Sequence, residues 1–358
     1  MFAVGPITLA ARIHPLAIML RSLNVDCNVV GPINWDRIVK GKIASIFSSI
    51  LSNSPKECIK AIQDPPDVLI ISKASTPQIR LLQSILKHKK TKVIFDLTDA
   101  IFLPTASLFG VKLKDSFLIE KIIRNSDFVT VNGHYLLRYV QSLNTNATII
   151  HDPVDTTLFS PSSKNHSDKI TIGWEGVPHN HYPSLALLKK ALRRIAKEYD
   201  IRFKIVSYLG DFKVKEIFRE LEGSMKIDYG SKKWTPLNKL PEEISDFDVM
   251  VAPLPKTLWY EGKSALRVGL GMSMGVPVVA SPVGEQKFVI KHKVNGFLAQ
   301  NDEEWYKCLK VLIEDDKLRR EIGRKGRETA ERELSLSVCG NKLLKIIAEQ
   351  VAFQKILL

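Results

Sequence analysis

The chain has 358 residues, 45% of them hydrophobic and 25% charged, with a net charge of +14. That length is more than one core needs and suits two domains, and the composition excludes a disordered or fibrous chain. No run approaches the about 20 apolar residues that span a bilayer. The basic excess is shared, +6 over residues 1–162 and +8 over the rest, so it is a surface property and not a tail. It suits nucleotide phosphates, nucleic acid or an acidic membrane surface, and equally a plain solvated surface. Cys27, Cys58, Cys308 and Cys339 are scattered with no CxxC or Cys/His spacing, which argues for free thiols in a reducing compartment and against structural zinc. The N-terminal segment lacks a basic n-region, and Arg12 and His14 interrupt its apolar residues, so no signal peptide is read there. The expectation is a soluble, cytoplasmic protein, with peripheral contact at an anionic inner membrane face left open.

In chain order, short apolar runs alternate with amphipathic segments. CNVV (27–30), DVLIIS (67–72), KVIFDL (92–97), DFVTV (127–131) and ATIIH (147–151) read as strands. RIHPLAIMLRSL, QIRLLQSILKHKK, SFLIEKIIRN and YLLRYVQSL read as the helices between them. The alternation predicts parallel strands with crossover helices. The nearly continuous apolar runs are those of strands covered on both faces. Residues 151–169, crowded with Pro, Ser, Asn and Asp, read as a linker. Alternation then resumes with ITIGW (170–174), RFKIVSY (202–208), FDVMVAPL (247–254) and PVVAS (277–281), and the tail from Asp302 is helical in pattern. The expected fold class is α/β with two Rossmann-like domains, 1–160 and 161–335, and a last helix, 336–358, crossing back to the first. Such a pair is expected to leave a cleft at the carboxyl ends of its strands, lined by Asp96, Asp99, Asn132, His134, Trp174, Glu175, Pro253 and Ser281.

The densest signal is KSALRVGLGMSMGVPVVASPVGE (263–285). Lys263 and Arg267, four apart, are expected on one face of a helix start, where free N–H groups and the dipole favour an anion such as a diphosphate. Alone, the pair reads better as a solvated basic face. Gly269 and Gly271 cost roughly 1 kcal/mol each inside a helix and make sense where a ligand or another backbone comes close. Gly275 is expected to end the helix, Pro277 to open a buried strand, Gly284 to turn at its far end and Glu285 to cap the next helix.

This stretch resembles the donor-binding segment of retaining glycosyltransferases of family 4, which have the GT-B fold. The resemblance rests on Lys263, Arg267, GVPVVASPVGE (275–285), NGF (295–297), Trp305 and LRREIGRKGRETAE (318–331). Upstream, GWEG (173–176) resembles the glycine loop of the second domain, DPVDTTLF (152–159) the interdomain linker, FDLTDAIF (95–102) a strand-end acidic motif, and FDVMVAPLPKTLWYEGKSALR (247–267) the segment before the donor helix. It covers most of the chain, most specifically residues 247–331. It implies an enzyme that moves a hexose from a nucleotide diphosphate sugar to a hydroxyl acceptor, on a glycan or a lipid-linked sugar, with retention. No cofactor and no metal site is implied. Lys263 and Arg267 would stabilise the leaving diphosphate, with Glu261 near the sugar. Gly173, Trp174, Glu175, Gly176, Val283, Gly284 and Glu285 would bind the donor, with Gly173 and Gly176 admitting phosphate to the backbone and Val283 and Gly284 offering N–H groups.

Family members often carry two glutamates here. The second falls on Leu270 and the first on Gly262, beside Glu261. That departure sustains an alternative, a non-catalytic sugar-nucleotide-binding or partner subunit of the same fold. An epimerase on this fold would want acid/base carboxylates that cannot be assigned. A nucleic-acid binder would want a basic-aromatic module that is missing, so no nucleic-acid partner is expected. On the acceptor side the candidates are Arg12, Asp96, Asp99 and His134, each with a plain structural alternative: a salt bridge for Arg12, N–H capping for the aspartates, a packed histidine for His134. Trp174 and Trp259 also read well as packing residues.

Overall fold

The computed structural model describes residues 2–4, 12, 14–26, 29–30, 59, 61–72, 77–103, 107–108, 111–112, 116–161, 169–208, 210–230 and 237–356. The chain forms two compact units, Met1–Pro153 with Glu261–Ser264 and Leu336–Leu358, and Val154–Tyr260 with Ala265–Ser335. The first division thus falls at Pro153 and not at 160. Val154 N–H donates to the Leu334 carbonyl at 2.9 Å and Phe159 is buried in the second unit's core, so these linker residues fold with that unit.

In the first unit the strands are β1 (Phe2–Val4), β2 (Val29–Val30), β3 (Val68–Ser72), β4 (Lys92–Leu97), a small antiparallel pair β5 (Ser107–Leu108) and β6 (Val111–Lys112), β7 (Phe128–Val131) and β8 (Ala147–Ile149). All but the small pair make one parallel sheet in the order β2-β1-β3-β4-β7-β8. The middle strands are buried along nearly their whole length, as their unbroken apolar runs require. Leu16, Ala17 and Leu20 of the helix His14–Ser22 pack with Cys339, Leu343 and Ile346 of the final helix Leu336–Ile356 over Ile70 and Ile94. The two helices come so close at Gly340 that a Cβ there would lie 1.6 Å from Met19 Sδ.

Arg12, 2% exposed, ties this unit together. Its Nε and Nη2 donate to the Asp96 carboxylate at 3.0 and 2.7 Å. Its Nη1 donates to the Ile150 carbonyl at 2.7 Å and to Asp152 at 3.0 Å. Asp96 also accepts from Ser72 Oγ at 2.9 Å and Thr130 Oγ1 at 2.7 Å. One cation therefore joins β3, β4, β7 and the segment after β8. Burial works against its charge, and the two carboxylates outweigh that, holding the guanidinium more firmly protonated than an ordinary arginine.

The second unit carries β9 (Ile170–Glu175), β10 (Ile201–Val206), β11 (Lys226–Tyr229), β12 (Val249–Ala252), β13 (Val278–Ala280) and β14 (Phe297–Leu298). They form a parallel sheet in the order β11-β10-β9-β12-β13-β14. Alternate residues serve two cores, one on each face: Val249, Val251 and Val279 belong to one, Met250, Ala252, Val278 and Ala280 to the other. β11 and β14 escape the sequence reading because KIDY is a partly exposed edge strand with little apolar content and β14 has only two residues. The chain runs β9, β10, β11 to one edge and then restarts at β12 toward the other. The winding reverses between β9 and β12, the place where doubly wound sheets bind ligands.

The helix Leu266–Ser273 lies tight on β12 and β13. A Cβ on Gly271 would be 2.7 Å from Val278 Cγ2 and 2.8 Å from Met250 Sδ. Its end is a Schellman motif: Val276 N–H donates to the Gly271 carbonyl and Gly275 N–H to that of Met272, both at 3.0 Å, with Gly275 at φ +68°.

Removing Asp96 would leave the Arg12 guanidinium buried with much of its pairing gone. Asp96→Ala is expected to cost about 3–5 kcal/mol of stability, read from the urea midpoint at constant m-value. A loss under about 1 kcal/mol would show that the pair is dispensable.

Candidate functional site

In the second unit the predicted residues converge at the reversal of the sheet. Arg267 stands in the first turn of the helix Leu266–Ser273. Its Nε donates to the Glu175 carbonyl, at the end of β9. Its guanidinium carbon lies 5.0 Å from the ring centroid of Trp174, which is fully buried. Gly176, at φ +150°, completes the seat: a Cβ there would lie 2.4 Å from Arg267 Nη2 and 3.0 Å from the indole. Both the φ angle and the contact require glycine. Among the described residues Nη1 and Nη2 make no hydrogen bond.

The electrostatics are those of an incomplete pair. Burial lowers the pKa of Arg267, and Glu175 offsets only part of that. Burial raises the pKa of Glu175, with Arg267 opposing it. Neither charge fully compensates the other, and the fork of the guanidinium is unspent. Such a group binds a phosphate or carboxylate in bidentate fashion.

The other donor-side residues have local reasons. Gly173, expected to admit phosphate, is needed for packing, since a Cβ would fall 2.2 Å from the Phe247 ring. Val283, expected to offer an N–H, donates it to the Ser281 carbonyl at 2.8 Å. Gly284 turns at φ +65°. Glu285, expected to cap the next helix, occupies the cap position, but its buried side chain makes no capping bond. Leu270 is 5% exposed in an apolar core.

Lys263 does not share the helix of Arg267. The helix begins at Leu266, and Glu261–Ser264 fold with the first unit. There Lys263 Nζ pairs with Asp99 Oδ1 at 2.9 Å, and Gly262 packs so closely that a Cβ would meet that of Ala100 at 2.7 Å. Glu261 ends the short helix Leu258–Glu261, and its charge adds to burial in raising the pKa of Tyr135. His134 opens the helix His134–Gln141, half-buried. Arg12 and Asp96, expected as contact residues, are committed to each other in the interior and act through structure. Asp152, Ser72 and Thr130, their partners, went unrecognised; their one signal is a polar side chain at or just beyond the end of an apolar run. Among the described residues no group of three or more His, Cys, Asp or Glu could hold a metal ion.

Residues 170–315, which carry Trp174 and Arg267, match the family model of glycosyl transferases group 1. No curated protein matches the chain in sequence. In structure it is similar to a glycosyltransferase from Rickettsia africae ESF-5, at 16% identity and TM-score 0.73 over 98% of each chain. It is also similar to Anabaena Alr3699/HepE in complex with UDP, at 13% identity and TM-score 0.65 over 97% of this chain and 99% of that one. A proposed UDP-N-acetylglucosamine 2-epimerase from Listeria monocytogenes aligns at 12% identity and TM-score 0.63, over 99% and 96%. The fold is GT-B, built from two Rossmann-like α/β domains.

Because burial lifts the Glu175 pKa in the folded chain, the folded state holds its proton to higher pH than the unfolded state does. Stability therefore falls as pH rises from the ordinary glutamate range through that raised value. Glu175→Gln is expected to flatten this slope in urea melts taken across the window. An unchanged slope would mean that the carboxyl is not desolvated.

Proposed function

We propose that the chain is a glycosyltransferase that moves a hexose from a nucleotide diphosphate sugar to a hydroxyl on a glycan or lipid-linked acceptor, with retention of configuration. The observation that carries this reading is the unspent Arg267 fork at the reversal of the second sheet. The group 1 family match of the same segment supports it, as do fold relatives in complex with UDP and with UDP-glucose. In the proposed reaction the sugar–phosphate bond breaks and charge builds on the departing diphosphate. Arg267 stabilises that charge from a prearranged position. Lys263 is proposed as the second cation, held by Asp99 until charge develops. The departing phosphate oxygen takes the acceptor's proton on the same face, so no carboxylate pair is needed. Glu175 stays close to Arg267 and keeps the site from being uniformly positive. Asp99, Glu261 and His134, in the first unit, are proposed for acceptor or sugar hydroxyls. The site is proposed to need neither metal nor cofactor and to work in the cytoplasm. Among the described residues no helix is long and apolar enough to cross a membrane. Leu270 favours one other reading, a donor-binding module without turnover.

The test is thermal unfolding with UDP, GDP and their hexose conjugates, with turnover measured alongside. One nucleotide at a hundredfold excess over its Kd should add about 2.7 kcal/mol of stability. Arg267→Ala should abolish the shift. Lys263→Ala should keep much of the shift and lower turnover about a hundredfold. Binding without turnover across glycan and lipid-linked acceptors selects the module reading; no shift with any nucleotide rejects both.

A further inference from the structure

Resting on that reading, we infer that Trp174 is a positioning residue, which fixes the Arg267 guanidinium in the orientation that receives the diphosphate. Three features bracket the guanidinium without hydrogen-bonding its outer fork. The Trp174 ring centroid lies 5.0 Å from the guanidinium carbon, the Glu175 carbonyl accepts from Nε, and Gly176 leaves room for Nη2 where a Cβ would clash. An arginine side chain otherwise loses considerable rotamer freedom on binding, and contact with the face of a buried indole removes that freedom before the ligand arrives.

Trp174 is itself held for this. Its indole is 0% exposed within a core cluster, and its centroid is 5.8 Å from that of His181 in an edge-on contact. Its Nε1 is buried with no hydrogen-bond partner among the described residues. A tryptophan chosen for packing alone would not bury a donor with no acceptor, which costs the donor's hydration uncompensated. A phenylalanine or leucine would avoid that cost. The retained indole gives the strongest face available to a cation.

The experiment uses the full chain and reads two quantities. The first is the Arg267 Nε–Hε signal in the ligand-free protein by ¹⁵N NMR, assigned with Arg267→Lys. The second is affinity for UDP and for inorganic pyrophosphate by calorimetry. Wild type should show a ring-current-shifted, slowly exchanging Hε. Trp174→Phe, which keeps an aromatic face, should retain the ordering and most of the affinity. Trp174→Leu should lose the ordering and weaken both probes about tenfold, the size of a desolvated cation–aromatic contact. If Trp174→Leu does not fold, Trp174→Met replaces it, since a long flexible side chain fills more of the buried volume without an aromatic face. The inference is overturned by an unshifted Hε in wild type, or by a leucine or methionine variant that loses the ordering and binds both probes unchanged. A wild type that shows the ordered Hε but binds neither probe overturns the transferase reading and the positioning role with it; the Hε signal separates that result from a failure of the stack.

Discussion

How a guanidinium is compensated is the constraint that organises both halves of this chain, and the two halves meet it in opposite ways: one encloses and pairs it, the other leaves it half-buried and only partly paired. Each parallel sheet reverses its winding once, between β1 and β3 in the first unit and between β9 and β12 in the second. In each unit an arginine lies near strand ends: Arg12 reaches Asp96 of β4 and the segment after β8, and Arg267 reaches the end of β9 beside the second reversal. Arg12 is fully enclosed, and every nitrogen of its guanidinium donates to Asp96, Asp152 or the Ile150 carbonyl. Arg267 receives one backbone carbonyl, one aromatic face and a nearby carboxylate. A buried cation that is fully paired has no use for a ligand, and removing a partner only damages the fold. A cation left short of compensation is stabilised by whatever anion arrives. The contrast in partners, and not the residue type, separates the structural arginine from the candidate binding one.

Placing an undercompensated charge with sub-ångström reproducibility takes rigid support. The helix behind Arg267 is pressed on the sheet through Gly271, and Gly275 stops it so that β13 can follow at once. On the other side Gly173 makes room for the Phe247 ring against β9, one residue before Trp174. Each of these glycines costs helix or strand propensity. What each returns is close packing beneath the site, and only Gly176 touches the proposed binding group itself. The motif therefore reads as a support structure with one functional contact, and not as a loop in which every glycine faces a phosphate.

Much of this was legible in the amino-acid order. The apolar runs at 67–72, 92–97 and 127–131 are central strands because a strand buried on both faces cannot alternate, and the sequence says so without ambiguity. Trp174, Glu175, Gly176 and Arg267 were all named from their motif. Their mutual arrangement was not, because residues 174 and 267 are joined only by the register of β9 beside β12 and the approach of a helix. The same limit explains Lys263. Four residues from Arg267, it fits a shared helical face, but the helix starts late because Gly262 packs on Ala100 and Lys263 answers Asp99, contacts more than 160 residues away in sequence. For Arg12 and Asp96 the sequence leaves a ligand contact and a structural role open, and the buried ion pair between them favours the structural one, since pattern locates a polar residue without saying how deep it lies.

Leu270 bears on whether the site can turn over. It stands where the resembled family often carries a glutamate that contacts the donor ribose, and here it is buried among Val268, Met274 and their neighbours. A carboxylate in that apolar cluster would need a partner that the cluster does not supply. Residue 270 therefore offers no such contact, and the question is what that costs. A ribose contact is the same before and during bond cleavage, so it contributes to holding the donor and nothing to the barrier. The charge that changes in the proposed reaction is on the diphosphate, at the end of the donor assigned to Arg267. An interaction that strengthens as that charge develops acts on the rate itself. The substitution at 270 thus weighs against tight binding more than against catalysis. It leaves the proposed transfer chemistry resting on a guanidinium that the fold holds in place with its outer fork unpaired among the described residues.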